Sequence, residues 1–290
     1  MKKKLNIAVL GDTHGHINLA MLILKEWEKM SVRKIDLVFQ VGDFGVWPYP
    51  HTRIDNATKR FSEIDSEEIS FPLFADESEI SKRLFNPNSD DSFKAPIIFI
   101  KGNHEDFEYL YELESASKEQ LIPVDYYRQM LYLPNGRIAS LKNKGINLKI
   151  GSLGGISECH TKGGEYTHSE AKKLMMQQFD IFLAHEPFQS WQSEDEGIVE
   201  EVIKSSNPAY FFCGHLHIVG QEIKRINRTH AYILNEVNFD RRGKLNKNCI
   251  GILEWESREN NRFAFIDDSV TSKFNKEMYR FPADVTLILR

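Results

Sequence analysis

The sequence predicts an α/β protein, on three observations. Five short apolar runs each end in polar residues of metal-ligand or acid–base type. Helical periodicity lies between several of these runs. Beyond about residue 221 the chain becomes strand-rich, with runs at 229–234, 249–255 and 285–289 separated by basic and Asn-rich turns. Such a tail is enough to build a second sheet packed on the first.

Residues 6–10 are mostly apolar and close on Gly11-Asp12-Thr13-His14-Gly15, the pattern of a strand buried on both faces. Ile17, Met21, Leu24, Trp27 and Met30 then recur at helical spacing over 17–30. Residues 35–41 form a second buried-strand run, ending in Gly42-Asp43-Phe44-Gly45. Residues 47–94 mix aromatics, prolines and acidic clusters without a sustained period. They read as a surface insertion with one short helix near 80–84. A third run, 97–100, enters Gly102-Asn103-His104-Glu105, and a helix is expected from 107 to 113. Residues 126–138 read as a Tyr-rich loop or hairpin. Residues 148–153 read as a strand entering Gly154-Gly155, followed by a flexible loop over 158–168. Ser169 is placed to cap a helix running to about 178. The runs 180–184 and 209–213 end at His185-Glu186-Pro187 and Gly214-His215-Leu216-His217, with a helix over 197–204 between them. Neither an internal repeat nor a low-complexity segment is seen, and residues 1–290 read as a single domain.

Composition limits the function. A formal net charge of -5 over 290 residues gives no global basic field for gripping nucleic acid, although bound cations reverse the local sign at a phosphate site. Three unpaired cysteines (Cys159, Cys213 and Cys249) argue against a disulfide framework. The Lys-rich start is followed by an apolar run too short for a signal peptide, and nothing approaches a membrane span. A cytoplasmic protein without membrane partners is expected.

One Gly-Asp after a strand is usually a turn. Five strand ends carrying Asp12 and His14, Asp43, Asn103 and His104, His185, and His215 and His217 point to one shared site, because ligands of open α/β sheets gather at the carboxyl ends of the strands. Mixed His, Asp and Asn without Cys suit Mn, Fe or Zn. Asp12 and His14, like His215 and His217, are two apart, so in an extended segment each pair faces one way. Seven ligands exceed one four-coordinate ion and suit two ions sharing a carboxylate. Such a pair stabilises both the attacking and leaving oxygens of a displacement at phosphorus, with a hydroxide between them as nucleophile. His104 faces away from Asn103 in an extended backbone. That makes it a candidate to protonate the leaving oxygen or to bind a phosphoryl oxygen.

In order and spacing, Asp12-x-His14, Gly42-Asp43, Gly102-Asn103-His104-Glu105, His185 and Gly214-His215-x-His217 resemble the signature of the calcineurin-like metallophosphoesterases. The resemblance implies a metallophosphoesterase fold: two packed mixed β-sheets, a β-sandwich, flanked by helices, with the tail completing the second sheet. It also implies one metal held by Asp12, His14, Asp43 and His217. A second would be held by Asp43, Asn103, His185 and His215, with Asp43 bridging; Mn is the expected metal, with Fe or Zn as alternatives. Phe44-Gly45-Val46-Trp47 after Asp43 departs from the Arg-Gly turn of the protein-serine/threonine phosphatases. The segments 42–44, 95–105, 150–157, 180–185 and 208–217 are similar to RNA lariat debranching enzymes, which commonly have Cys in place of Asp12 and carry a long C-terminal extension. A phosphodiester of a nucleotide or nucleic acid, with 2′,5′-branched RNA as one form, is therefore the expected substrate. A phosphomonoesterase of the same fold, or a non-catalytic scaffold, are the alternatives.

Other residues have simpler readings. Helix-start polarity accounts for His16, and Glu105 and Asp106 are placed to start or cap the next helix. Cys213 is a core residue. Trp47, Tyr49, Tyr126 and Tyr127 are more simply packing than base-stacking groups. His160 and His168 read as solvated loop histidines, and the acidic clusters of 47–94 as solvated surface.

Overall fold

The structure, a computed structural model, describes residues 3–159, 161–191 and 196–281. His160 and the run at 285–289 lie outside the described residues. The predicted class holds: two mixed sheets are packed face to face and flanked by helices. The first half of the chain runs β1 (Leu5–Leu10), α1 (Ile17–Ser31), β2 (Leu37–Gln40), α2 (Asn56–Ser62), α3 (Pro72–Ala75), α4 (Glu79–Phe85), β3 (Ile97–Phe99), α5 (Phe107–Ala116), β4 (Ile122–Pro123), β5 (Met130–Tyr132) and β6 (Ile138–Asn143). The second half runs β7 (Ile146–Leu153), α6 (His168–Met175), β8 (Ile181–Ala184), α7 (Ile198–Ser206), β9 (Tyr210–Cys213), β10 (Gln221–Ile226), β11 (Thr229–Ile233), β12 (Ile250–Trp255), β13 (Asn261–Phe265) and α8 (Asp268–Thr271).

One sheet has the order β13-β12-β1-β2-β3-β5-β4 and the other β10-β11-β9-β8-β7-β6. Strands β1, β2, β3 and β5 are mutually parallel, as are β7, β8, β9 and β11. The near-continuous apolar runs follow from this. Ile7 and Val9 face the second sheet beside Ile181, Leu183 and Phe212, while Ala8 and Leu10 face α1 and the 47–94 segment. A third cluster fills the space between the second sheet and α6 and α7, with Phe182, Phe211 and Ile203 at its centre.

Three expectations are corrected. The tail divides between the sheets: β10 and β11 extend the second, but β12 returns to pair antiparallel with β1 in the first. Leu253 and Trp255 on one face of β12 and Ile252 on the other are all buried, as its interior position between β1 and β13 allows. The 47–94 segment is not a polar surface loop. Besides the expected helix α4 it holds α2, a 3₁₀ turn at Ser66–Ile69 and α3, and it buries Phe71, Phe74, Leu84 and Phe85 against the first sheet. Several short helices at different angles converge on one core, so no single period marks them. Asp90 and Asp91 stay exposed, but Glu67 and Glu68 are buried. Finally, α6 is capped by Thr167, whose reciprocal box with Glu170 satisfies two orphan N–H groups, leaving Ser169 inside the first turn.

Candidate metal centre

The strand ends converge. Ligand atoms of Asp12, His14, Asp43 and His217 lie within 4.8 Å of one another. The Nε2 atoms of His14 and His217 are 3.3 Å apart, and His217 Nε2 is 3.0 Å from Asp12 Oδ2. Two imidazole nitrogens at that separation share a proton or a cation. His14 Nε2 is 3.7 Å and His185 Nε2 3.4 Å from Asp43 Oδ2, which places Asp43 between two groups of donors. Asn103 Oδ1 is 2.8 Å from His185 Nε2, and the His185 and His215 rings stand 5.1 Å apart between centroids. The oxygen and imidazole donors fit a divalent cation of the Mn, Fe or Zn type.

Contrary to the expectation from spacing, the ligand pairs do not lie on extended backbone. His14, Asp43, His215 and His217 all have positive φ, between 40° and 70°. The ends of β1, β2 and β9 reach the site through left-handed residues, an arrangement that costs energy for non-glycine residues and clusters at functional sites. Backbone groups then fix the carboxylates: the His215 N–H donates to Asp12 Oδ2 at 2.9 Å, and the His104 N–H to Asp43 Oδ1 at 2.7 Å. Gly214 and Gly102 are needed for this approach. A Cβ on either would stand 2.0 Å from an oxygen of Asp12 or Asp43, respectively.

Both carboxylates are buried. Burial opposes the charge of Asp43, but His185, His14 and His104 outweigh it and hold the carboxyl well below its ordinary range. Burial likewise opposes charge on His185 and His217. The neighbouring carboxylates prevail and push both up to about 9. His215 is driven down to about 4 by burial and by His185.

Four site histidines have a partner on the nitrogen turned away from the cluster. His185 Nδ1 is 3.0 Å from the Val41 carbonyl, so it donates there and leaves Nε2 for the site. His104 Nδ1 is 3.1 Å from Asp55 Oδ2, His217 Nδ1 is 3.4 Å from Glu236 Oε2, and His14 Nδ1 is 3.8 Å from Glu68 Oε2. Such outer partners orient imidazole ligands and raise their basicity. Sequence reading missed all three carboxylates. Asp55 carries a local signal, as the N-cap of α2, but nothing local places that helix beside His104.

Glu105 is buried and accepts from the Phe44 and Val46 N–H groups, bracing the Asp43 turn, while Asp106 alone caps α5. His16 is also buried, with Nδ1 on the Thr13 carbonyl and Nε2 3.2 Å from Asp65. Trp47 is buried, and Tyr126 is joined by its N–H to Ala75 on α3. His168 lines a cavity of about 670 Å³ that opens beside His215 and includes Tyr166, Glu186 and Phe188.

Comparison with known proteins settles the family. The calcineurin-like phosphoesterase family model matches residues 5–219. The chain belongs to that family. A calcineurin-like phosphoesterase is a metal-dependent phosphoric ester hydrolase, and this chain is one. Among curated protein sequences, none matches it significantly. The TT1561 protein of Thermus thermophilus has the same fold, at 13% identity and a TM-score of 0.51, over 91% of this chain and 100% of that one. NAD nucleotidase of Haemophilus influenzae is 13% identical with a TM-score of 0.43, over 90% of this chain and 49% of that one. Purple acid phosphatase PPD1 of yellow lupin is 12% identical with a TM-score of 0.44, over 93% of this chain and 52% of that one.

Proposed function

We propose that this calcineurin-like phosphoesterase is a binuclear metal enzyme that hydrolyses phosphodiesters of nucleotides. Asp12, His14, Asp43 and His217 hold one ion; Asp43, Asn103, His185 and His215 hold the other. The observation that carries the reading is the convergence of these seven residues with His104 at the rim, its ring 6.0 Å from that of His14. Two divalent ions bound there would activate a water and neutralise charge on the phosphoryl oxygens. Manganese is the expected metal.

His104 supplies the proton. Its Nδ1 is engaged by Asp55, so Nε2 is the nitrogen free to face a leaving oxygen. Burial disfavours the imidazolium, but the Asp55 bond and the Asp43 charge outweigh it and raise the pKa above the ordinary value, the direction that favours the protonated form a general acid needs. The resemblance of several sequence segments to lariat debranching enzymes extends the proposal to 2′,5′-linked RNA.

One observation favours a second reading, a phosphomonoesterase of small substrates. The cavity beside His215 is lined by Glu158, Glu186, Glu196 and Glu201, without Lys or Arg among its described lining residues, a poor surface for a long polyanion. No helix of the described residues is long and apolar enough to cross a membrane. The three free cysteines support a reducing, cytoplasmic setting.

The test is a set of parallel rates with Mn present on monoester and diester reporters, a dinucleotide and a 2′,5′-branched RNA. Diester turnover lost in Asp43→Ala, together with metal binding, is expected. Turnover of monoesters alone would select the second reading. A chain that binds no divalent metal and turns over nothing would be a scaffold, the third possibility.

A further inference from the structure

Beyond β13 the chain crosses back over the first sheet's outer side. Asn275 bridges to Lys244, the Lys276 N–H donates to the Gly243 carbonyl, Phe281 meets Phe74, and Tyr279 meets Phe239. This tail lies past residue 219, where the family match ends. The Tyr279 hydroxyl occupies a three-way junction. It donates to Glu67 Oε1 at 2.7 Å and accepts from Asn18 Nδ2 at 3.0 Å, while Asn18 Oδ1 accepts from Arg83 of α4 at 3.2 Å. Asn18 is wholly buried in the first turn of α1. One hydroxyl thus joins the tail, the helix after the Asp12 turn and the 47–94 segment.

Glu67 and Glu68 sit directly on the loop that carries His14. Ser70 Oγ donates to the Gly15 carbonyl at 2.9 Å, and a Cβ on Gly15 would stand 2.1 Å from the Glu67 carbonyl oxygen. The next side chain, Glu68, is buried, with its carboxylate 3.8 Å from His14 Nδ1; His14 Nε2 faces Asp43 and His217. Leaving a carboxylate there without a cationic or donor partner is costly. We propose that Glu68 is a positioning residue for His14 and that Tyr279, acting through Glu67, holds Glu68 in place, so that the tail forms part of the support of the metal centre. This rests on the reading of His14 as a metal ligand.

The test is calorimetric titration of the whole, metal-stripped chain with Mn²⁺, with melting temperature followed in parallel. Glu68→Gln is expected to weaken one of the two sites by about 10–100-fold, the usual worth of an outer partner of a metal-bound histidine. Tyr279→Phe is expected to act in the same direction. The double variant is expected to bind no more weakly than Glu68→Gln alone, because the tyrosine acts through the carboxylate. Glu67→Gln, which keeps an acceptor for the tyrosine, is expected to retain most of the affinity. A purely structural tyrosine would lower the melting temperature without this pattern. Wild-type affinity in Glu68→Gln, or losses that multiply in the double variant, would overturn the inference while leaving the metal centre standing. Failure of the wild type to bind Mn²⁺ would remove both.

Discussion

At the scale of single residues, the centre depends on very close approaches. Gly102 lies against the Asp43 turn so tightly that a methyl group would overlap both the Asp43 backbone nitrogen, at 2.1 Å, and its carboxylate. Gly102→Ala is expected to displace Asp43 and abolish metal binding in a calorimetric titration, with the circular dichroism spectrum of the fold retained. His104 differs, since it touches the site without being a proposed ligand. His104→Ala is expected to keep both metals, measured by elemental analysis, and to slow turnover by ~10²–10⁴-fold, the usual worth of general acid catalysis. Unchanged turnover would remove the role assigned to it. The ligand types and their order could be read from sequence because each follows an apolar run. The carboxylates behind the histidines could not. Asp55, Glu68 and Glu236 are distant in sequence from the histidines they face, apart from the 19-residue step between His217 and Glu236.

At the scale of elements, the fully buried parallel strands were legible, whereas β5, inside the stretch 126–138 that reads as a loop or hairpin, and the antiparallel edges were not. Strands β1, β2, β8 and β9 are buried along their whole length and show as apolar runs. Strands β6 and β13 expose alternate residues at or near sheet edges and carry only weak patterns. The return of β12 to β1 is reinforced by Glu254, which accepts from Lys4 at 2.6 Å and also pairs with Arg33. Burial raises the Glu254 carboxyl, but the two cations outweigh it and hold the pKa below its ordinary 4.5. A depressed carboxyl stabilises the fold fully above the unfolded value and loses that contribution as pH falls through the folded value. Glu254→Gln is therefore expected to lower stability near neutral pH by about 0.5–1 kcal/mol, a size set by partial exposure of all three groups. In urea melts the difference should shrink as pH falls below the ordinary carboxyl value and vanish once the folded carboxyl is protonated; a difference that persists in strong acid would mean lost packing instead.

At the scale of the whole molecule, the two sheets meet over one shared core and bring their carboxyl ends to a single rim. Asp12 and Asp43 are buried there, so a cation that binds only the folded chain stabilises the molecule by mass action. At 100 times its dissociation constant the gain is about 2.7 kcal/mol. That is a rise of roughly 5 °C in melting temperature for a chain of this size. Differential scanning fluorimetry with Mn²⁺ and then with a chelator should show the rise and its reversal. The shift should be absent in Asp43→Ala.

The α/β class, the fully buried parallel strands and the residues at their ends follow from the amino-acid order. Burial on both faces and ligand chemistry are written in local runs of a few residues. Three things come from the tertiary structure: that His14, Asp43, His215 and His217 reach the centre from left-handed backbone, that the tail serves both sheets, and that the 47–94 segment and Tyr279 stand behind the centre. Each depends on contacts between residues tens to hundreds of positions apart, such as Glu67 with Tyr279. No local pattern encodes such pairings, because they form only when separate elements share one core.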